Sequence, residues 1–191
     1  MSRVDEILEF WFNSPEHDNY GKQRKEWFTK KTQFDEQVRS RFLSDYELAA
    51  AGKLDDWKLS PPSCLALIIL LDQFPRNMFR GEARSFATDA QALAAAQHAV
   101  QMQFDRQLPI VQRWFIYLPF EHSEDINMQR QSVALWQQLS NYPECADTIS
   151  YAIRHLEVIE RFGRFPHRNK ILGRKTTPEE EEFLKQPGSS F

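Results

Sequence analysis

An all-α fold is predicted from three features of the 191-residue sequence. Apolar residues recur every three or four positions in segment after segment, and no run shows the strict alternation of a half-buried strand. Only six glycines occur, and singly, where average usage would give roughly twice that number, which leaves few positions for tight hairpins or phosphate-cradling loops. Hydrophobic residues make up 41% of the chain and aromatics 13%, enough apolar surface to close a core without metals or disulfides.

Each element has its own signals. Ser2 is placed to cap a first helix carrying Ile7, Leu8, Phe10, Trp11 and Phe12, which Asn13, Ser14 and Pro15 then break. After a loop containing Asn19 and Gly21 and a stretch around Trp27 and Phe28, the residues Phe34, Val38, Phe42, Tyr46 and Ala49 recur at helical spacing until Gly52. Ser60-Pro61-Pro62 supplies a cap and a proline start for the run from Cys64 to Leu71, which is apolar all round and therefore central. That run is far shorter than the roughly 20 residues a bilayer span needs, so no membrane role is expected. Thr88 and Gln91 read as a capping box for an alanine-rich helix, Leu93 to Phe104, whose small side chains allow close approach.

Pro109 to Leu118 follows, and Ser123 with Glu124 and Asp125 opens a helix to about Ser140. Pro143 opens another that Gly163 ends, and Thr177-Pro178-Glu179-Glu180 combines a cap, a proline first turn and a capping box. About eight helices result, joined by short loops with no repeat and no shift in composition. A single helical domain over residues 1–186 with a loose tail, Pro187–Phe191, is the economical expectation.

The charge balance, 24 basic against 27 acidic side chains, argues against a polyanion-coating protein. Cys64 and Cys145 stand alone without CxxC spacing, and no basic-plus-apolar leader opens the chain, so a reduced, cytoplasmic protein is expected. No HExxH or comparable ligand spacing occurs, and neither metal nor cofactor is expected.

Several polar groups stand out against this framework. Asp72 closes the all-apolar helix, where the carbonyl end of the dipole repels a carboxylate, so it needs a partner. Arg76, Arg80 and Arg84 are near in sequence, and the bland reading is an ion pair tying loop to helix. In Glu121-His122-Ser123-Glu124-Asp125, capping accounts for the serine and two carboxylates, whereas His122 beside acids has the means for acid and base steps. His155 falls within the apolar arc of its helix, as a hydrogen-bonded core histidine or a pocket-lining one.

The densest feature is Arg161-Phe-Gly-Arg164-Phe-Pro-His167-Arg168-Asn169. From Arg154 to Lys175 there are seven Arg or Lys against two Glu, an excess that an anionic ligand would meet. Phe162 and Phe165 alone make no stacking platform for single-stranded nucleic acid, and nucleic acid is not an expected partner. Phe74-Pro-Arg76-Asn77 and Phe165-Pro-His-Arg-Asn169 echo one another as two turns after helix ends, and Asp72, Glu124 or Asp125 would neutralise some of the arginines if the turns met at a shared cleft.

Taken in order, Phe10-Trp-Phe12, Leu71-Asp-Gln-Phe-Pro-Arg-Asn77, Tyr117-Leu-Pro-Phe-Glu-His-Ser-Glu-Asp125 and Arg161-Phe-Gly-Arg-Phe-Pro-His-Arg-Asn169 resemble the family called domain of unknown function 924 over nearly the whole chain. The resemblance implies antiparallel helix pairs stacked in a right-handed, tetratricopeptide-repeat-like superhelix, although that repeat's consensus is absent here. It implies no reaction, substrate or cofactor.

Three functions are therefore weighed. The leading one is a non-catalytic binding protein offering Arg76, Arg164, His167 and Arg168, with Asn77 and Asn169 beside them, to an acidic peptide or small anion. The second is an enzyme acting on a small carboxylate or phosphate compound, with His122 as acid or base and Glu124 or Asp125 orienting it. The third is a structural or homo-oligomeric role, which exposed tryptophans at positions 11, 27 or 57 would favour.

Overall fold

The computed structural model describes residues 1–190, and among them every regular element is helical. The α-helices are α1 (Arg3–Phe12), α2 (Thr32–Ala50), α3 (Pro61–Ile68), α4 (Phe74–Met78), α5 (Asp89–Gln101), α6 (Ile110–Glu121), α7 (Ile126–Gln137), α8 (Ala146–Phe162) and α9 (Pro178–Leu184), with short 3₁₀ turns between several of them. A π-turn, Ile69–Gln73, joins α3 to α4 without a break. Counted as one rod, α3 and α4 leave eight helices among the described residues. None of them is long and apolar enough to cross a membrane. The chain divides into two units, Met1–Arg80 with Arg84–Pro119, and Gly81–Ala83 with the residues from Phe120 onward.

In the first unit α1 opens on the expected cap, with the Ser2 hydroxyl accepting from the Asp5 N–H and the Asp5 carboxylate accepting from the Ser2 N–H. Arg24 and the Trp27 indole donate to the last carbonyls of α1, those of Phe10 and Trp11, which the helix itself leaves without donors. Trp11, Phe12, Trp27, Phe34, Phe42, Phe74 and Phe115 form an aromatic core around them. Trp11 and Trp27 are buried there, so neither contributes an exposed patch. Within α2 the residues read from the periodicity, Phe34 to Ala49, are the buried ones.

The central rod departs from its sequence reading at Asp72. The helix does not close there. The Phe74 N–H reaches back to the Ile69 carbonyl, and the wider turn carries the chain on to Met78 despite Pro75. Pro75 has no N–H for the Leu71 carbonyl four residues back, and the buried Thr88 hydroxyl donates to that oxygen instead, at 2.6 Å. This is why the Thr88–Gln91 capping box does not form: the Thr88 hydroxyl is engaged with Leu71, and Gln91 donates to the Ala50 carbonyl. Ser60 holds the cap position of α3, but its hydroxyl pairs with Ser63 rather than with a backbone N–H. Against α3 packs α5, whose Ala92, Ala95, Ala96 and Ala99 are fully buried, as close approach requires.

In the second unit α7 and α8 pack together. Asp125, not Ser123, is the cap of α7: its carboxylate accepts from the Asn127 and Met128 N–H groups, while the Ser123 hydroxyl accepts from Asp125 itself. A carboxylate at that position both satisfies the orphan donors and complements the positive helix end. Gly163 closes α8 at φ +67°, a left-handed conformation that its missing Cβ permits. The Thr177–Glu180 capping box of α9 forms as read. Of the loose tail expected over Pro187–Phe191, Phe191 lies outside the described residues. Gly188 accepts a hydrogen bond from Arg154, and the Ser189 hydroxyl donates to the Leu184 carbonyl.

Candidate functional site

Of the candidate site residues read from the sequence, Asp72, Arg76 and Asn77 lie in the first unit, with Arg80 and Arg84, and those from His122 to Asn169 in the second. The first three serve the fold. Asp72 is fully buried, 3.2 Å from Arg76 and hydrogen-bonded by Gln73. Arg76 also grips Asp89 with both terminal nitrogens, at 2.8 and 3.0 Å. Asn77 donates to Asp35, which Arg80 holds as well. The echo between Phe74–Asn77 and Phe165–Asn169 is thus one of letters rather than of conformation, since the former is helix and the latter contains a 3₁₀ turn, Pro166–Arg168.

A polar chain runs through the second unit. Glu124 accepts from the Phe165 N–H at 2.8 Å and from both terminal nitrogens of Arg174 at 2.7 and 3.0 Å. Arg174 donates in turn to Asn169, Asn169 to Glu180, and Glu180 is held in a two-bond grip by Arg164. Burial works against the charge of Glu124, but the Arg174 guanidinium and the Phe165 amide outweigh it and keep the carboxyl below its ordinary range. Hydrogen bonds from Arg164 bring Glu180 down to about 2.

This chain explains most of the positive excess counted between Arg154 and Lys175. Arg161 pairs with Glu179 and Arg164 with Glu180, just past the counted window, while Arg174 pairs with Glu124 from far upstream. The partners Arg174 and Glu180 were not singled out as site residues. Glu180 was visible only as a capping residue, and nothing local in sequence couples Glu124 to a position 50 residues on.

Around the ring of Phe165, itself fully buried, the remaining groups gather. The Arg168 guanidinium lies 4.5 Å from the ring centroid, His155 meets the ring edge-on at 5.5 Å, and His167 lies tilted to it at 5.7 Å. Arg168 and His155 are buried, at 6% and 4% exposure. Burial is the main cause that drives His155 towards its neutral form, down to about 3, and the charges of His122, Arg168 and His167 push the same way against the Tyr151 carbonyl. His167 falls to about 4, again through burial first and the Arg168 charge second. His155 Nδ1 lies 2.8 Å from the Tyr151 carbonyl oxygen and 3.3 Å from Glu121, an acid that had no assigned role. His122 is half-buried, near enough for its charge to act on both other imidazoles.

Chemically, the cluster offers a buried guanidinium beside imidazoles that are neutral at physiological pH. Among the described residues no group of three or more His, Cys, Asp or Glu side chains is arranged to hold a metal ion.

The chain is similar to the solved structure of a protein of unknown function from Agrobacterium tumefaciens, with 40% identity, a TM-score of 0.85, and 95% of this chain and 96% of that one covered. No curated protein matches it. The model of a family described as bacterial protein of unknown function, DUF924, matches residues 7–188, and the chain belongs to that family.

Proposed function

We propose that this is a binding protein for a small anion, a carboxylate or phosphate compound, held by Arg168 and His167 with His122 beside them. The observation that carries the reading is the crowding around Phe165: a buried guanidinium acts on two imidazoles and opposes protonation of both. A group of this kind gains from an incoming negative charge, because the anion offsets the cost of keeping the guanidinium charge buried and accepts charge-assisted hydrogen bonds from it. The burial of Arg168 favours a small ligand over an acidic peptide. Cytoplasmic residence and tetratricopeptide-like stacking of helix pairs belong to the same proposal, supported by the two buried free cysteines and the family resemblance.

The enzymatic alternative, with His122 as acid or base, ranks second. Both oxygens of Glu124 accept hydrogen bonds from Phe165 and Arg174, and Asp125 caps α7, so the carboxylates that would orient His122 already have structural duties.

Following the His167 ring by NMR tests the binding reading. An anion within hydrogen-bond reach of Arg168 raises the pKa of His167 from about 4, so titration with inorganic phosphate, succinate and a glutamate-rich peptide should give a saturable rise for one small anion. Arg168→Lys, which keeps the charge but not the two-pronged geometry, should weaken that rise at least tenfold. If none of the three probes moves His167, the binding reading is wrong.

A further inference from the structure

A cleft of about 260 Å³ lies beside the C-terminal end of α1, and its lining includes Glu6, Glu9, Phe10, Asn13, His17 and Arg41. All belong to the first unit, and none takes part in the cluster around Phe165. The Arg41 guanidinium lies 4.7 Å from the Phe10 ring centroid and 5.0 Å from that of Phe42, so aromatic faces support it. Among the described residues it pairs with no carboxylate, and its N–H groups donate to no protein acceptor. Glu9 is likewise in no ion pair among the described residues, whereas Glu6 is engaged by Arg3. An unpaired cation and an unpaired carboxylate thus line one cleft.

Two further features belong to the same cleft. Asn13 has φ +68° and ψ +169°, a conformation essentially reserved for glycine, and such strain gathers where side chains or backbone are held for a ligand. His17 accepts a hydrogen bond from the Asn19 N–H through Nδ1, so its neutral ring carries the proton on Nε2 as a donor.

From this juxtaposition we propose that the cleft binds a free α-amino acid with an apolar side chain, its carboxylate on Arg41 and His17 and its ammonium on Glu9. A simple anion would face Glu6 and Glu9, and a simple cation would face Arg41. A zwitterion satisfies both signs at once. The apolar side chain lies along Phe10. The size agrees, because about 260 Å³ is below the roughly 300–1,000 Å³ of drug-sized pockets and suits a ligand as small as an amino acid.

Amide NMR with L-leucine, L-methionine and L-valine tests the assignment on the whole chain, with N-acetyl-L-leucine and L-leucinamide as blocked controls. The expected result is saturable shifts at residues 9–17 and 41 with at least one free amino acid, and at least tenfold weaker binding when either end is blocked. Arg41→Gln and Glu9→Gln alter half-buried or exposed side chains outside the core and should each weaken binding at least tenfold. Absence of binding by all three amino acids, equal binding of the blocked compounds, or unchanged affinity in both variants overturns the proposal. Its failure leaves the anion site of the second unit untouched, since the two share no residue.

Discussion

Replacing Glu124 by Gln preserves the shape of the side chain and removes its charge, in a place where that charge holds three donors. Oε1 accepts from the Phe165 N–H and from Arg174 Nη2, and Oε2 accepts from Arg174 Nη1. A glutamine can keep its oxygen on the first two, but its amide N–H₂ then faces the Arg174 Nη1 donor. One charge-assisted bond is lost and two donors oppose each other, a loss of about 1.5–3 kcal/mol for the bond to a charged group. Both side chains are partly exposed, Arg174 at 23% and Glu124 at 29%, so solvent screening brings the expectation to about 2 kcal/mol. For a chain of this length that lowers Tm by about 4–8 °C. Urea unfolding of the parent, Glu124→Gln, Arg174→Met and the double variant gives the pairwise term directly, with an expected coupling of about 1–2 kcal/mol. A loss below about 0.5 kcal/mol in Glu124→Gln, or strict additivity in the cycle, would show that the polar chain from Glu124 to Arg164 does not hold the second unit together as described.

Other expectations follow the same physics. Thr88→Val removes the donor to the Leu71 carbonyl beside Pro75 and should cost about 1–2 kcal/mol in urea unfolding; a variant as stable as the parent would mean that this oxygen needs no donor. The depressed histidines make stability depend on pH. His155 and His167, ordinarily near 6.5, fall to about 3 and about 4 in the folded chain, so the unfolded state binds more protons below pH 6.5. Their contribution is complete above pH 6.5 and is lost as pH falls towards 4 and 3, at up to about 1.4 kcal/mol per pH unit for each group. Unfolding measured between pH 7 and pH 5 in phosphate-free buffer should show this slope, and His167→Asn should flatten it; a flat parent profile would contradict the burial of these rings.

What could be read from the sequence was what periodicity and local chemistry determine. The buried stripe of α2, the cap at Ser2, the capping box at Thr177 and the left-handed stop at Gly163 each depend on residues within a turn or two of one another. The departures came where a side chain had a distant competitor. The Thr88 hydroxyl was read as a cap, but a carbonyl beside a proline 17 residues upstream took it. Asp72 reads as a helix end because it closes the all-apolar run, and the π-turn that lets the rod continue leaves no mark in that run. In the second unit, the separate words around Glu124 and Phe165–Asn169 were recognisable. Glu124 is named there as a carboxylate that would neutralise arginines, but its pairing with Arg174, the parts of Glu179 and Glu180, and the ring of Phe165 as the place where His155, His167 and Arg168 gather are not legible, because those relations exist only in three dimensions.

The π-turn at Ile69–Gln73 also limits how this chain can vary in length. It already takes up one residue more than regular α winding holds, so one further residue in the rod would turn everything beyond it by about 100° and push it on by about 1.5 Å. Arg76 would swing away from Asp89 and Asn77 from Asp35, and the Leu71 carbonyl would leave Thr88. Exchanging one aliphatic side chain for another of similar volume costs less than about 1.5 kcal/mol. Along this rod, then, the identities of Leu67 to Leu71 are negotiable and an addition to their number is not.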